Sequence, residues 1–91
     1  MILNISLDGN NIKLTLKNGR KVIDILEWND EYTLSEQLLP NIDKLLQKNK
    51  IAKKQVSKVT TKITKTSGVT SIRIVQTVAK AWNIGSHLLA S

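Results

Sequence analysis

The chain has 91 residues, 41% of them hydrophobic, which is enough for one modest core and too little for two. It contains no cysteine and a single histidine, so a disulfide framework, a thiolate nucleophile and a thiolate metal site are excluded, and His87 alone makes no metal centre. The net charge of +7 is unevenly placed: all seven acids lie within residues 1–43 beside four bases, whereas residues 44–91 hold ten bases and no acid.

That asymmetry suits contact with nucleic acid or with an acidic protein surface, and it equally suits plain solubility of a lysine-rich chain. No basic segment precedes an apolar stretch of signal-peptide length, and no apolar run approaches the roughly 20 residues that span a bilayer. The expectation is a cytoplasmic protein that does not engage a membrane.

In chain order, three strands are predicted first, on Ile2, Leu3, Ile5 and Leu7, then Ile12, Leu14 and Leu16, then Val22, Ile23, Ile25 and Leu26. Asp8-Gly9-Asn10-Asn11 and Asn18-Gly19 separate them with hairpin chemistry, since Gly and Asn tolerate the positive φ that tight turns need. An antiparallel meander follows, closed by Trp28-Asn29-Asp30. Thr33-Leu34-Ser35-Glu36 fits a capping box for a helix over about 34–48, with Pro40 inside it. On a helical wheel Leu34, Leu38, Leu39, Ile42, Leu45 and Leu46 cover an arc of about 140°, wider than the ~100° stripe of a helix lying on one surface.

Residues 48–58 read as a basic connector, and Val59-Thr60-Thr61-Lys62-Ile63-Thr64 as a fourth strand, by its alternation and β-branched content. Ser67-Gly68 turns the chain, and Thr70 or Ser71 caps a second helix running to about Asn83. Its apolar residues Ile72, Ile74, Val75, Val78, Ala79, Ala81 and Trp82 cover about 180° of the wheel, against Arg73, Gln76, Thr77 and Lys80 on the other half. One sheet covers only part of such a surface, so a further element is expected to cover the rest. Val75, Ala79 and Ile72 are expected to face the sheet, Ile74, Val78 and Ala81 a partner, and Trp82 the seam between them. The tail from Ile84 is either a short fifth strand or a frayed end. The order β-β-β-α-β-α implies a single α/β domain over residues 1–91, with both helices on one face of a mixed sheet.

Catalytic groupings are nearly absent. Asp8, Asp24, Glu27, Asp30, Glu31, Glu36 and Asp43 read as surface charges, and Ser67-Gly68 lacks the lysine and glycine spacing of a phosphate-binding loop. Two tryptophans and one tyrosine are few for a surface that stacks single-stranded bases.

Three segments resemble the TsaB (YeaZ) family of threonylcarbamoyladenosine synthesis, within the actin-like, RNase H-like ATPase-domain superfamily. Met1-Ile2-Leu3-Asn4-Ile5 is similar to the family's opening strand. Residues 34–46, LSEQLLPNIDKLL, resemble its HSERLLPLIDELL helix, in-helix proline included. Residues 68–81, GVTSIRIVQTVAKA, resemble its SFTGLRIGLATAKGLA helix. After the first strand, where the family has an acidic and small hydroxyl residues, stands Ser6-Leu7-Asp8-Gly9. The family's GPGSFTG loop is here Lys65-Thr66-Ser67-Gly68-Val69-Thr70-Ser71, and the family's second domain has no counterpart. Nucleotide binding is therefore not carried over, and no cofactor is expected.

The resemblance implies a non-catalytic assembly protein of tRNA modification. In the family, the two matching helices bundle with those of a second copy or of the related catalytic subunit TsaD. The expected interface is Leu38, Leu39, Ile42 and Leu46 of the first helix with Ile74, Val78, Ala81 and Trp82 of the second. A homodimer or a heterodimer with a TsaD-like protein follows, with tRNA reached through that partner. The alternative is a small basic RNA- or tRNA-binding module using Lys53, Lys54, Lys58, Lys62, Lys65 and Arg73.

Overall fold

The computed structural model describes residues 1–30, 33–64 and 68–90, of which 84–90 are described by backbone alone. The alternating residues of the first third form β1 (Ile2–Asp8), β2 (Asn11–Asn18) and β3 (Lys21–Asn29). β1 and β2 pair antiparallel from Ile2↔Lys17 to Asp8↔Asn11, and β2 and β3 pair antiparallel with one irregularity at Leu16/Lys17. Each hairpin turns on two residues, and Gly9 (φ 60°) and Gly19 (φ 63°) hold the first turn position. Asn10 and Arg20 keep negative φ, so each turn has the signs of type II′, in which glycine at the first position removes the penalty of positive φ.

α1 (Leu34–Lys48) has the expected bounds, and Pro40 lies inside it without ending it. Its missing N–H frees the Glu36 carbonyl, and both residues are exposed, so water can meet the unpaired oxygen. The capping box is not formed: Thr33 stands at the N-cap without a side-chain cap bond. Its hydroxyl and its N–H both donate to Asp30 Oδ1, at 2.8 Å each. Asp30 also accepts from Trp28 Nε1 at 3.3 Å, and its N–H donates to the Asn10 carbonyl at 2.8 Å. Expected as a surface charge, Asp30 is buried because four donors and acceptors around it replace water, and it ties the entry of α1 to the first hairpin.

The connector holds a 3-10 turn at Lys53–Gln55, which periodicity did not reveal because three residues are too short to show a period. β4 (Lys58–Ile63) then pairs parallel with β1, from Ile2↔Lys58 to Leu7↔Ile63. The sheet order is β3-β2-β1-β4, a mixed sheet with β4 at one edge.

α2 (Val69–Ala90) continues past the expected stop at Asn83, and the tail is neither a strand nor frayed in its backbone. Asn83 gives no stop because its side chain is engaged elsewhere. Its Oδ1 accepts from the Val59 N–H at 2.8 Å and its Nδ2 donates to the Val59 carbonyl at 3.0 Å. The amide thus acts as a one-residue strand partner on the outer edge of β4. The helix formers Leu88, Leu89 and Ala90 extend the helix beyond it.

Both helices lie on the same face of the sheet. Leu3, Ile5 and Leu7 of β1, Ile12, Leu14 and Leu16 of β2, and Val59 of β4 are all buried under Leu34, Leu38, Ile42, Leu45 and Leu46 of α1 and Val75 and Ala79 of α2. Burying each large aliphatic side chain stabilises the fold by roughly 1.5–3 kcal/mol before entropy is counted, which makes this layer the domain's core.

Candidate protein-interaction face

Side chains at α2 positions three and four apart form two apolar stripes, and the two are treated differently. Val75 and Ala79 are buried against the sheet, whereas Ile74 and Val78 are half-exposed and Ala81 is exposed. Trp82 lies between: it packs on the core and its Nε1 donates to the Val56 carbonyl at 3.4 Å, while part of the ring remains accessible. The burial split expected from the wheel thus appears in α2 at Val75 and Ala79 against Ile74, Val78 and Ala81, whereas Ile72, expected to face the sheet, is half-exposed like Ile74.

For α1 it holds only in part. Leu38, Ile42 and Leu46 are all 2% exposed or less and belong to the chain's own core. An arc of about 140° was wide enough to suggest two faces, but the sheet and α2 together cover most of it. Leu39, 49% exposed, is the one of the four that still offers area. It follows Ser35 by one turn, and Ser35 lines an open groove with Thr70, Arg73, Ile74, Thr77 and Val78 of α2. The accessible apolar surface is thus Ile74 and Val78 in the groove, among polar Ser35, Thr70, Arg73 and Thr77, with Leu39 exposed on α1 and part of Trp82 accessible on α2. A half-apolar centre with a polar rim is the usual composition of a protein-binding surface.

The basic candidates do not converge. Lys53 sits on the 3-10 turn and pairs with Asp43 at 3.0 Å, beside Lys54. Arg73 lines the helix groove. Lys58 and Lys62 lie on β4, alternate with buried Val59, and so face away from the helices. Lys65, Glu31 and Ser67 fall outside the described residues.

Asp24, also expected as a simple surface charge, is a contact to α1. Its Oδ2 accepts from Asn49 Nδ2 at 3.0 Å and lies 3.4 Å from Lys48 Nζ, and its Oδ1 accepts from the Ile25 N–H at 2.8 Å. The Asn49 amide, then the Ile25 N–H, with Lys48 adding to them, hold its carboxyl below the usual carboxylate range. Among the described residues no three His, Cys, Asp or Glu side chains cluster as a metal site, and no helix is long and apolar enough to cross a membrane.

Fold and surface together define a one-sided α/β domain: a four-stranded mixed sheet, two helices on one face, and an apolar stripe left over on the second helix. No family model matches the sequence, nor does any curated protein. Among solved structures, YeaZ from Pseudomonas aeruginosa is similar at a TM-score of 0.82 and 15% identity over 94% of this chain. A second structure, described as an uncharacterized protein with similarity to peptidase YEAZ from Pseudomonas aeruginosa, is similar at a TM-score of 0.80 and 15% identity. The chain spans 39% of the length of each. The domain therefore has the fold of one part of YeaZ, as the sequence resemblance implied.

Proposed function

We propose that this domain is a non-catalytic assembly module of the YeaZ/TsaB kind, acting in tRNA threonylcarbamoyladenosine modification. It associates through the outer stripe of α2, with Leu39 of α1, to a second copy of itself or to a TsaD-like subunit. The observation that carries this reading is the second apolar stripe of α2: Ile74, Val78 and Trp82 stay partly accessible although Val75 and Ala79 already satisfy the sheet. The fold likeness to YeaZ supports it, because the matching segments are the two helices that the family uses for bundling. In a two-fold arrangement each copy presents the same patch, so Val78 of one would lie near Ile74 or Val78 of the other. The role would be to hold a partner in its working arrangement, with no nucleotide needed.

Light scattering coupled to size exclusion tests this directly. The protein alone at rising concentration, and then mixed with a TsaD-like subunit, is expected to move from the 10.2 kDa of one chain to a species of two chains. A constant single-chain mass in both experiments refutes the proposal. Saturable binding of ATP with magnesium at micromolar ligand, read by calorimetry, would refute the nucleotide-independent part of it.

A further inference from the structure

The charges on the two helices are sorted by sign. On the outer side of α1, beside Leu39, stand Glu36 and Asp43, whereas Lys44 and Lys48 lie on the flank toward β3, where Lys48 meets Asp24 at 3.4 Å. α2 up to Asn83 carries Arg73 and Lys80 and no acid. On their helical wheels Glu36 and Asp43 fall about 20° apart, and so do Arg73 and Lys80. Each pair spans seven residues, a rise of roughly 10 Å, so two unlike contacts can form at once between an α1 and an α2 laid side by side. Glu36, Arg73 and Lys80 are exposed and make no ion pair with a described residue, while Asp43 is half-buried and meets Lys53 at 3.0 Å.

Within one chain α1 and α2 run the same way. β2 is antiparallel to both β1 and β3, and β4 is parallel to β1, so β3 and β4 point in one direction, and each is followed by its helix. The first turns of the helices accordingly share one level, with Ser35 beside Thr70, Arg73 and Ile74 in the groove. Two kinds of two-fold contact can then be made by this layer. With the axis across the helices, each helix lies antiparallel on its own copy, and Ile74 against Val78 of the second copy brings Arg73 toward Lys80 of the second copy. With the axis along the groove, α1 lies on α2 of the second copy in the same direction and levels are kept, so Glu36 faces Arg73 and Asp43 faces Lys80. We infer that a second copy of this chain covers the α2 stripe in this crossed arrangement, its register fixed by Glu36 against Arg73 and Asp43 against Lys80. The inference rests on the proposed use of that stripe and specifies both its partner and its geometry.

Charge decides between the two arrangements because the apolar stripe does not: Ile74 and Val78 lie near the axis in both. In the antiparallel one, the two cations of α2 approach their own copies in a chain that already carries +7, and like charges at a contact oppose it. In the crossed one, symmetry makes each attraction twice. Pairs of this kind, at the edge of an apolar centre, set register and orientation more than affinity. No foreign acidic surface is required, since α1 supplies the acids that residues 44–91 lack. Counting charge along the chain shows only a basic half, and the fold alone sets the acidic stripe of α1 beside the basic stripe of α2.

Sedimentation equilibrium of charge-reversed chains tests the inference. Arg73→Glu sets acid against acid, and Glu36→Arg sets base against base. Each is expected to raise the dissociation constant of self-association on the order of tenfold with circular dichroism unchanged, since an exposed pair contributes up to about fivefold and occurs twice. An equal mixture of the two variants restores every contact and should associate as the parent does, and so should one chain carrying both reversals. Lys62→Glu, the same change of net charge on a residue facing away from the helices, should leave association as it is. Four results would overturn the inference: tighter association of Arg73→Glu, which marks the antiparallel arrangement; no recovery in the mixture; equal weakening by Lys62→Glu; or a parent that alone stays at 10.2 kDa at every concentration. The proposed function falls on different results, namely a parent that stays single with a TsaD-like subunit as well, or a Val78→Glu chain that associates as the parent does.

Discussion

The two faces of the sheet are built from alternate residues of the same strands, and they differ in nearly every physical property. On the helix side Leu3, Ile5, Leu7, Ile12, Leu14 and Leu16 are wholly buried. On the other side the intervening residues are Ile2, Asn4, Ser6, Lys13, Thr15 and Lys17. The first face tolerates almost no chemical change, because a closely packed interior transmits any altered volume. The second face carries charge and polar groups, with Lys13 exposed and Ile2, Asn4, Ser6 and Lys17 partly so, although Thr15 between them is buried. α2 repeats the contrast on a smaller scale: Val75 and Ala79 are buried in the core, and Ile74 and Val78, one residue earlier in each turn, pack against it only in part.

The largest effect expected from breaking this contrast is at Val75. Val75→Glu places a carboxylate where the side chain is 0% exposed, an arrangement that costs several kcal/mol without a partner charge. Circular dichroism should show loss of the cooperative thermal transition. A folded Val75→Glu protein would mean that α2 can rotate about its axis and that the two stripes are interchangeable.

Next comes the edge of β4. Asn83→Ala removes both hydrogen bonds to Val59 and leaves a part-buried backbone N–H and C=O unpaired. Such groups cost about 1–3 kcal/mol, which lowers Tm by about 5 °C or more in a domain of this size. An unchanged Tm would show that water replaces the amide at no cost. The uncovered edge should also make the variant more prone to concentration-dependent strand pairing than the parent, measurable as turbidity on heating.

Much of this was legible beforehand. Period-two alternation from Ile2 to Leu26 identified the meander, and the apolar spacing from Leu34 to Leu46 gave α1 its bounds, because both elements bury one continuous face. What was not legible depended on long-range partners. Thr33 reads as a cap until Asp30 turns out to hold its hydroxyl, and Asn83 reads as a stop until β4 arrives beside it. The interface assignment of Leu38, Ile42 and Leu46 failed for a related reason: a wheel shows how wide an apolar arc is, but not how much of it neighbouring elements cover.

A smaller effect is expected in acid. Folding lowers the Asp24 carboxyl pKa, so its contribution to stability is present above the unfolded value near ~4 and is lost as pH falls through the lower folded value. Asp24→Asn should therefore narrow the difference in Tm between pH 6 and pH 3. An identical acid dependence in parent and variant would show that Asn49 and Lys48 do not favour the ionised form.

The central claim is that α2 has one stripe for its own core and another for a partner, and Val78→Glu tests it most directly. Val78 is half-exposed, so a glutamate there stays solvated in the single chain, at a cost of roughly 1 kcal/mol, but would be unpaired in an apolar interface. Light scattering on parent and variant, each at high concentration, alone and with a TsaD-like subunit, gives the answer. The account predicts a two-chain mass for the parent in at least one of the two mixtures. For Val78→Glu it predicts a mass of 10.2 kDa for this chain in both, with an unchanged circular dichroism spectrum. A folded Val78→Glu protein that still forms the same two-chain species would contradict it.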